Sequence, residues 1–92
     1  MKRTHNVYKS QKLIRIVLEY DEIENTINSI AISGDFFVYP EEALETLEAH
    51  LIGTELEREA LKKEVNEYLK NSEVYGFDSI SLTEAILGCK TD

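Results

Sequence analysis

Ile30-Ala31-Ile32-Ser33-Gly34-Asp35-Phe36-Phe37-Val38-Tyr39-Pro40-Glu41-Glu42 carries the chain from one periodicity into another. Upstream of Gly34, apolar residues recur at every second position, as on a half-buried strand; downstream of Pro40 they recur at helical spacing. The two regimes meet at a Gly-Asp turn followed by two adjacent phenylalanines. Strands first and helices after predict an α+β domain. The expected architecture is a small antiparallel sheet of two to three strands, followed by two helices and a short C-terminal helix packed on one face.

Working back toward the N-terminus, Lys12 to Tyr20 alternates cleanly. Ile14, Ile16, Leu18 and Tyr20 share one face and Leu13, Arg15, Val17 and Glu19 the other, which predicts a strand with one buried side. Asp21-Glu22 supplies a tight turn, and Ile23 to Ser33 reads as the antiparallel return strand. Apolar parity changes within it, because Ile23 and Ile27 share one face and Ile30 and Ile32 the opposite one. Either a bulge near Asn28-Ser29 brings all four to the core, or the far end is covered on both faces. Asn6 to Lys9 is a weaker candidate for a first strand, with Ser10-Gln11 as its turn.

Toward the C-terminus, Pro40 suits a first helical position, with Glu41 and Glu42 at the positive end of the helix dipole. Leu44, Leu47 and Leu51, with Ala43, form the apolar stripe, and Gly53 stops the helix. Thr54-Glu55-Leu56-Glu57 has capping-box spacing for a second helix whose stripe is Leu61, Val65, Tyr68 and Leu69. Glu59, Lys63 and Glu67 form an i, i+4 ladder on another face. Asn71 to Asp78 reads as a loop containing Gly76. Ser81-Leu82-Thr83-Glu84 reads as a second capping box, opening a last helix that ends at Gly88.

At 92 residues the chain has room for one core, so residues 1–92 are expected to form a single domain. A net charge of −8 disfavours nucleic acid and anionic membrane surfaces as partners. No apolar run approaches the roughly 20 residues that span a bilayer, and no signal-peptide core follows Lys2 and Arg3. The expected location is the cytoplasm. A lone Cys89 fits a reducing compartment.

Little in the chain points to chemistry of its own. The four glycines are isolated, each with a turn or cap reading, and no phosphate-cradling loop is present. Asp35 either caps its own turn or engages a basic residue of a partner. In extended backbone Phe36 and Phe37 point to opposite sides, so that one enters the core and the other faces outward beside Tyr39; alternatively a turn lets both pack inside. Glu41, Glu45 and Glu48 line a helical face that reads as solvated rather than metal-binding, and neither His5 nor His50 has a ligand partner at a recognisable spacing.

The Gly34–Phe37 run, the Pro40-Glu41-Glu42 opening and the pattern Leu44-x-x-Leu47-Glu48-x-x-Leu51-x-Gly53 resemble the accessory C-terminal domain of lipoate–protein ligases. The likeness extends over most of the chain, although Ser10-Gln11 stands where that family often has glycines. Such ligases activate lipoate with ATP to lipoyl-adenylate and transfer the lipoyl group to a carrier-domain lysine. The resemblance implies a non-catalytic accessory subunit that binds no cofactor itself, with ATP and lipoate used by a catalytic subunit in a heterodimer. The expected partner interface is Gly34, Asp35, Phe36, Phe37 and Tyr39. The general fold is also shared with sulfur-acceptor and iron–sulfur scaffold proteins. A single-cysteine sulfur acceptor built on Cys89, or a generic interaction module, is therefore the alternative.

Overall fold

The computed structural model describes residues 1–90. Three antiparallel strands, β1 (Lys2–Lys9), β2 (Leu13–Asp21) and β3 (Thr26–Gly34), form a sheet in the order β1-β2-β3. A short β4 (Phe37–Tyr39) leads into α1 (Glu42–Leu51) and α2 (Arg58–Leu69). Then come β5 (Glu73–Tyr75), which pairs with β4, and α3 (Ser79–Leu87). α1 rests on β3 and α3 on β1 and β2, while α2 packs against both other helices. This is the expected α+β layering, with a separate two-stranded ribbon added.

The alternation in β2 decides which way the sheet faces. Ile14, Ile16 and Leu18 are fully buried, and they meet Leu47, Leu51, Leu61, Leu82 and Ile86 from the helices. Each such side chain contributes roughly 1.5–3 kcal/mol of burial. Between β2 and β3, Glu19 faces Ser29 whereas Tyr20 faces Ile27, so Asn28 is an extra residue. This bulge turns Ile27, Ile30 and Ile32 toward one core.

Ile23 does not join them. It lies in the turn and is 95% exposed, because the Asp21 carboxylate accepts hydrogen bonds from the backbone N–H of Ile23 (2.8 Å) and Glu24 (3.1 Å). Asn25 completes the turn at φ 59°, and β3 therefore starts at Thr26 rather than Ile23.

Neither expected capping box forms as the spacing suggests, each for a definable reason. The backbone of Thr54–Leu56 is drawn alongside β3. Ile27 N–H donates to Thr54 O (3.0 Å), and Leu56 N–H donates to Asn25 O (2.8 Å). A segment held extended cannot begin a helix, so α2 starts at Arg58 without a side-chain cap, and the Thr54 hydroxyl donates back to His50 O instead. In α3 the box is Asp78 with Ser81: the Asp78 carboxylate accepts from Ser81 N–H at 2.7 Å, and Ser81 Oγ accepts from Asp78 N–H at 3.0 Å. Ser81 is thus the third helical residue and not the cap.

Three smaller differences follow. α1 begins at Glu42, with Pro40 O accepting from Ala43 N–H in the entry turn. Glu67 pairs with Lys70 at 3.5 Å, and among the described residues the Glu59–Lys63–Glu67 ladder forms no ion pair. The expected loop from Asn71 to Asp78 contains β5.

Candidate docking interface

The ribbon of β4 and β5 is built from the Gly-Asp turn outward. Gly34 has φ 152°, and a Cβ there would run into the Leu13 carbonyl. That carbonyl accepts the Asp35 N–H at 3.0 Å, which pins the end of β3 to the start of β2. The Asp35 side chain is exposed and makes no hydrogen bond among the described residues. The turn is closed by backbone, which leaves the carboxylate available to a partner.

From this anchor the side chains alternate. Phe36 folds inward, edge-on to Phe77, with ring centroids 4.9 Å apart and planes at 87°. Phe37 faces outward at 53% exposure, Val38 is buried, and Tyr39 faces outward at 60%. In β5, Tyr75 lies opposite Phe37 in register and is 59% exposed. Their rings are 6.3 Å apart. Phe37, Tyr39 and Tyr75 therefore make one aromatic surface on a three-residue ribbon, beside a groove of about 180 Å³ lined by Phe36, Phe37, Val38, Glu41 and Leu44. The expected residues are brought together by the fold, with Phe36 as the half-buried anchor. Sequence reasoning missed Tyr75. Its only signal was alternation over Glu73-Val74-Tyr75, too short to stand out from a loop.

The ribbon's second strand is tied to the main sheet at this same end. Lys12 N–H donates to Gly76 O at 3.0 Å. Gly76 has φ 111°, and a Cβ there would sit 2.8 Å from the Lys12 side chain and 2.9 Å from Phe36 Cβ. The close approach of three chain segments requires a glycine at this point.

The other candidate groups have structural partners. Cys89 is fully buried, its Sγ lies 3.8 Å from Ala85 O, and burial pushes its thiol up to about 11. A thiol so placed is a core side chain and a poor nucleophile, which removes the observation on which a sulfur-acceptor reading rested. Glu48, from the acidic face of α1, accepts the Ile32 N–H at 2.7 Å and so caps the edge of β3. His50 stacks on Tyr68, with centroids 4.1 Å apart. The Arg58 guanidinium forms two bonds to Glu84, at 2.7 and 3.0 Å, which holds the Glu84 carboxyl below its usual range.

Three outward-facing aromatic rings on a half-buried anchor are the makings of a protein–protein contact surface, since large aromatics dominate such interfaces. The fold presents these rings together on one side of the ribbon. Residues 10–89 match the family described as bacterial lipoate protein ligase C-terminus, and the chain belongs to that family. Over 52 residues, 55% of this chain, it is 44% identical to lipoate-protein ligase A subunit 2 of Thermoplasma acidophilum; the alignment spans 53% of that relative's length. The fold also matches a chain from a solved archaeal lipoylation system of the same organism, described as a bi-partite lipoate protein ligase and its E2 lipoyl domain. The TM-score is 0.81 at 28% identity, covering 92% of this chain and 94% of that one. Among the described residues no helix is long and apolar enough to cross a membrane.

Proposed function

We propose that this chain is the non-catalytic small subunit of a two-chain lipoate–protein ligase. It works with a catalytic subunit in the ATP-dependent activation of lipoate to lipoyl-adenylate, ahead of lipoylation of a carrier-domain lysine. The observation that carries the reading is the end-to-end structural match, 92% of this chain against 94% of the other, to a chain from a system described as bi-partite. In this reading ATP and lipoate sit on the catalytic subunit, this chain holds no cofactor, and the heterodimer acts in the cytoplasm.

Docking is through Gly34–Tyr39 together with Tyr75. Phe37, Tyr39 and Tyr75 supply the apolar contact, and the exposed Asp35 carboxylate meets a cationic group at its rim. The chain contributes order rather than chemistry, by holding mobile loops beside the adenylate site in their closed form. The test is lipoyl-adenylate formation by the cognate catalytic chain, with and without this protein. Dependence on both chains is expected; undiminished adenylate formation by the catalytic chain alone would falsify the proposal.

A further inference from the structure

We infer that the free edge of β1 accepts an extended, acid-bearing segment of the partner chain, adding a fourth strand to the sheet. The inference rests on the reading that a catalytic partner docks on the aromatic ribbon.

The two edges of the sheet are treated differently. β3 is covered at two places: Gly53–Leu56 pairs with its first residues, and the Glu48 carboxylate caps Ile32 N–H further along. β1 has no such cover. It runs eight residues in unbroken register with β2, without proline, glycine or bulge, and no hydrogen bond among the described residues uses its outer side. A regular edge of this kind, roughly 24 Å long at a rise of about 3.4 Å per residue, is a template for strand addition.

The hydrogen-bond phase identifies the free groups. Residues of an antiparallel pair alternate between those that exchange both backbone bonds with the partner and those that direct both away. Ser10 N–H donates to Lys12 O at 3.1 Å, which makes Lys9 and Leu13 a non-bonded pair. Counting along the register, Arg3, His5, Val7 and Lys9 direct their N–H and C=O groups off the sheet. The same four residues are the exposed ones, with side chains on the face that no helix covers.

Charge selects the occupant. Lys2, Arg3, Lys9, Lys12 and Arg15 fall within the first 18 residues, where there is no acidic residue at all, although the chain carries 18 acidic residues in total. Among the described residues the one ion pair made by these five is Arg3 with Glu19, loose at 4.0 Å and exposed. A second copy of β1 would set cations against cations, which opposes pairing. A strand with carboxylates at alternate positions would neutralise them. The edge leads toward the proposed docking surface, because the turn that follows β1 is bonded to the ribbon through Lys12 N–H and Gly76 O. One partner can therefore cover both.

The test is residue-resolved amide hydrogen exchange of the full chain, free and with the catalytic subunit. Exchange at Arg3, His5, Val7 and Lys9 should slow at least tenfold in the complex, together with the ribbon amides. Protection of the ribbon with β1 unchanged overturns this inference and leaves the docking reading standing. Protection at neither place defeats both. Slowing of β1 by raised protein concentration alone assigns the edge to a second copy and overturns the proposal. Val7→Pro removes one outward N–H without touching a bond to β2, and should weaken the complex about tenfold. Val7→Ala keeps that N–H and should leave affinity within twofold. Equal affinities of the two variants would count against strand addition, and the exchange measurement on the unaltered chain decides the matter even where Val7→Pro folds poorly.

Discussion

Two neighbouring phenylalanines should respond to the same substitution in opposite ways. Phe36 is partly buried and packs edge-on against Phe77. Removing a buried phenylalanine costs about 3–5 kcal/mol; partial burial brings Phe36→Ala down to roughly 2–3, including about 0.5–1.5 for the aromatic pair. A 92-residue domain has a total stability on the order of 5–14 kcal/mol. The loss should therefore lower Tm by roughly 10–20 °C. Phe37 is 53% exposed and touches Tyr75 across the ribbon, an interaction worth only about 0.2–1 kcal/mol. Phe37→Ala should shift Tm by no more than about 8 °C, yet weaken binding to the catalytic chain by about 2 kcal/mol, or about 30-fold. Thermal melts followed by circular dichroism and titration calorimetry separate the two effects. If Phe37→Ala melts as low as Phe36→Ala, Phe37 belongs to the core and the assignment of faces is wrong. A stable Phe37→Ala variant that binds normally would move the interface elsewhere.

Three further outcomes are expected. Asp78→Ala should cost about 1 kcal/mol through loss of the α3 cap. The Ser81 backbone N–H is the main cause holding the Asp78 carboxyl below its normal range, so the cap is fully present above the unfolded value near 4 and fades as pH falls through the lower folded one. Asp78→Asn should keep most of the cap and flatten that acid loss, as pH-dependent urea titrations would report. Gly34→Ala should destabilise by about 2–3 kcal/mol, since the added carbon meets the Leu13 carbonyl in a backbone conformation unfavourable to it; an unchanged urea midpoint would contradict this. Cys89, with a thiol near 11, should react with a disulfide reagent at pH 8 at least about a hundredfold more slowly than a free cysteine, and normally once unfolded.

The fold was legible wherever a local pattern sufficed. Ile14, Ile16, Leu18 and Tyr20 announce their strand by period alone, and the parity break in β3 locates its bulge correctly. Reading failed where a non-local bond overrides a local motif. Thr54-Glu55-Leu56-Glu57 has the spacing of a cap, but its backbone is claimed by the start of β3, far upstream in the chain. Ile23 looks like a strand residue until the Asp21 carboxylate bends the chain beneath it. At the proposed docking surface, alternation alone separates Phe36 from Phe37. Tyr75 becomes visible only once β5 is paired with β4, because three residues cannot declare themselves a strand.

The brevity of that ribbon has a dynamic consequence. Two strands of three residues have no independent stability in water, and here they persist because Phe36 and Val38 are held from below and Gly76 is tied to Lys12. Opening the ribbon breaks few bonds and uncovers chiefly Phe36 and Val38, whereas opening β2 dismantles the core. In the free chain the ribbon amides should thus exchange with solvent through a low-energy local event, long before those of Ile16 or Leu18. A partner that presses on Phe37, Tyr39 and Tyr75 would spend part of its binding energy silencing that opening, and a substitution at Gly76 would weaken the grip while leaving those three rings unaltered.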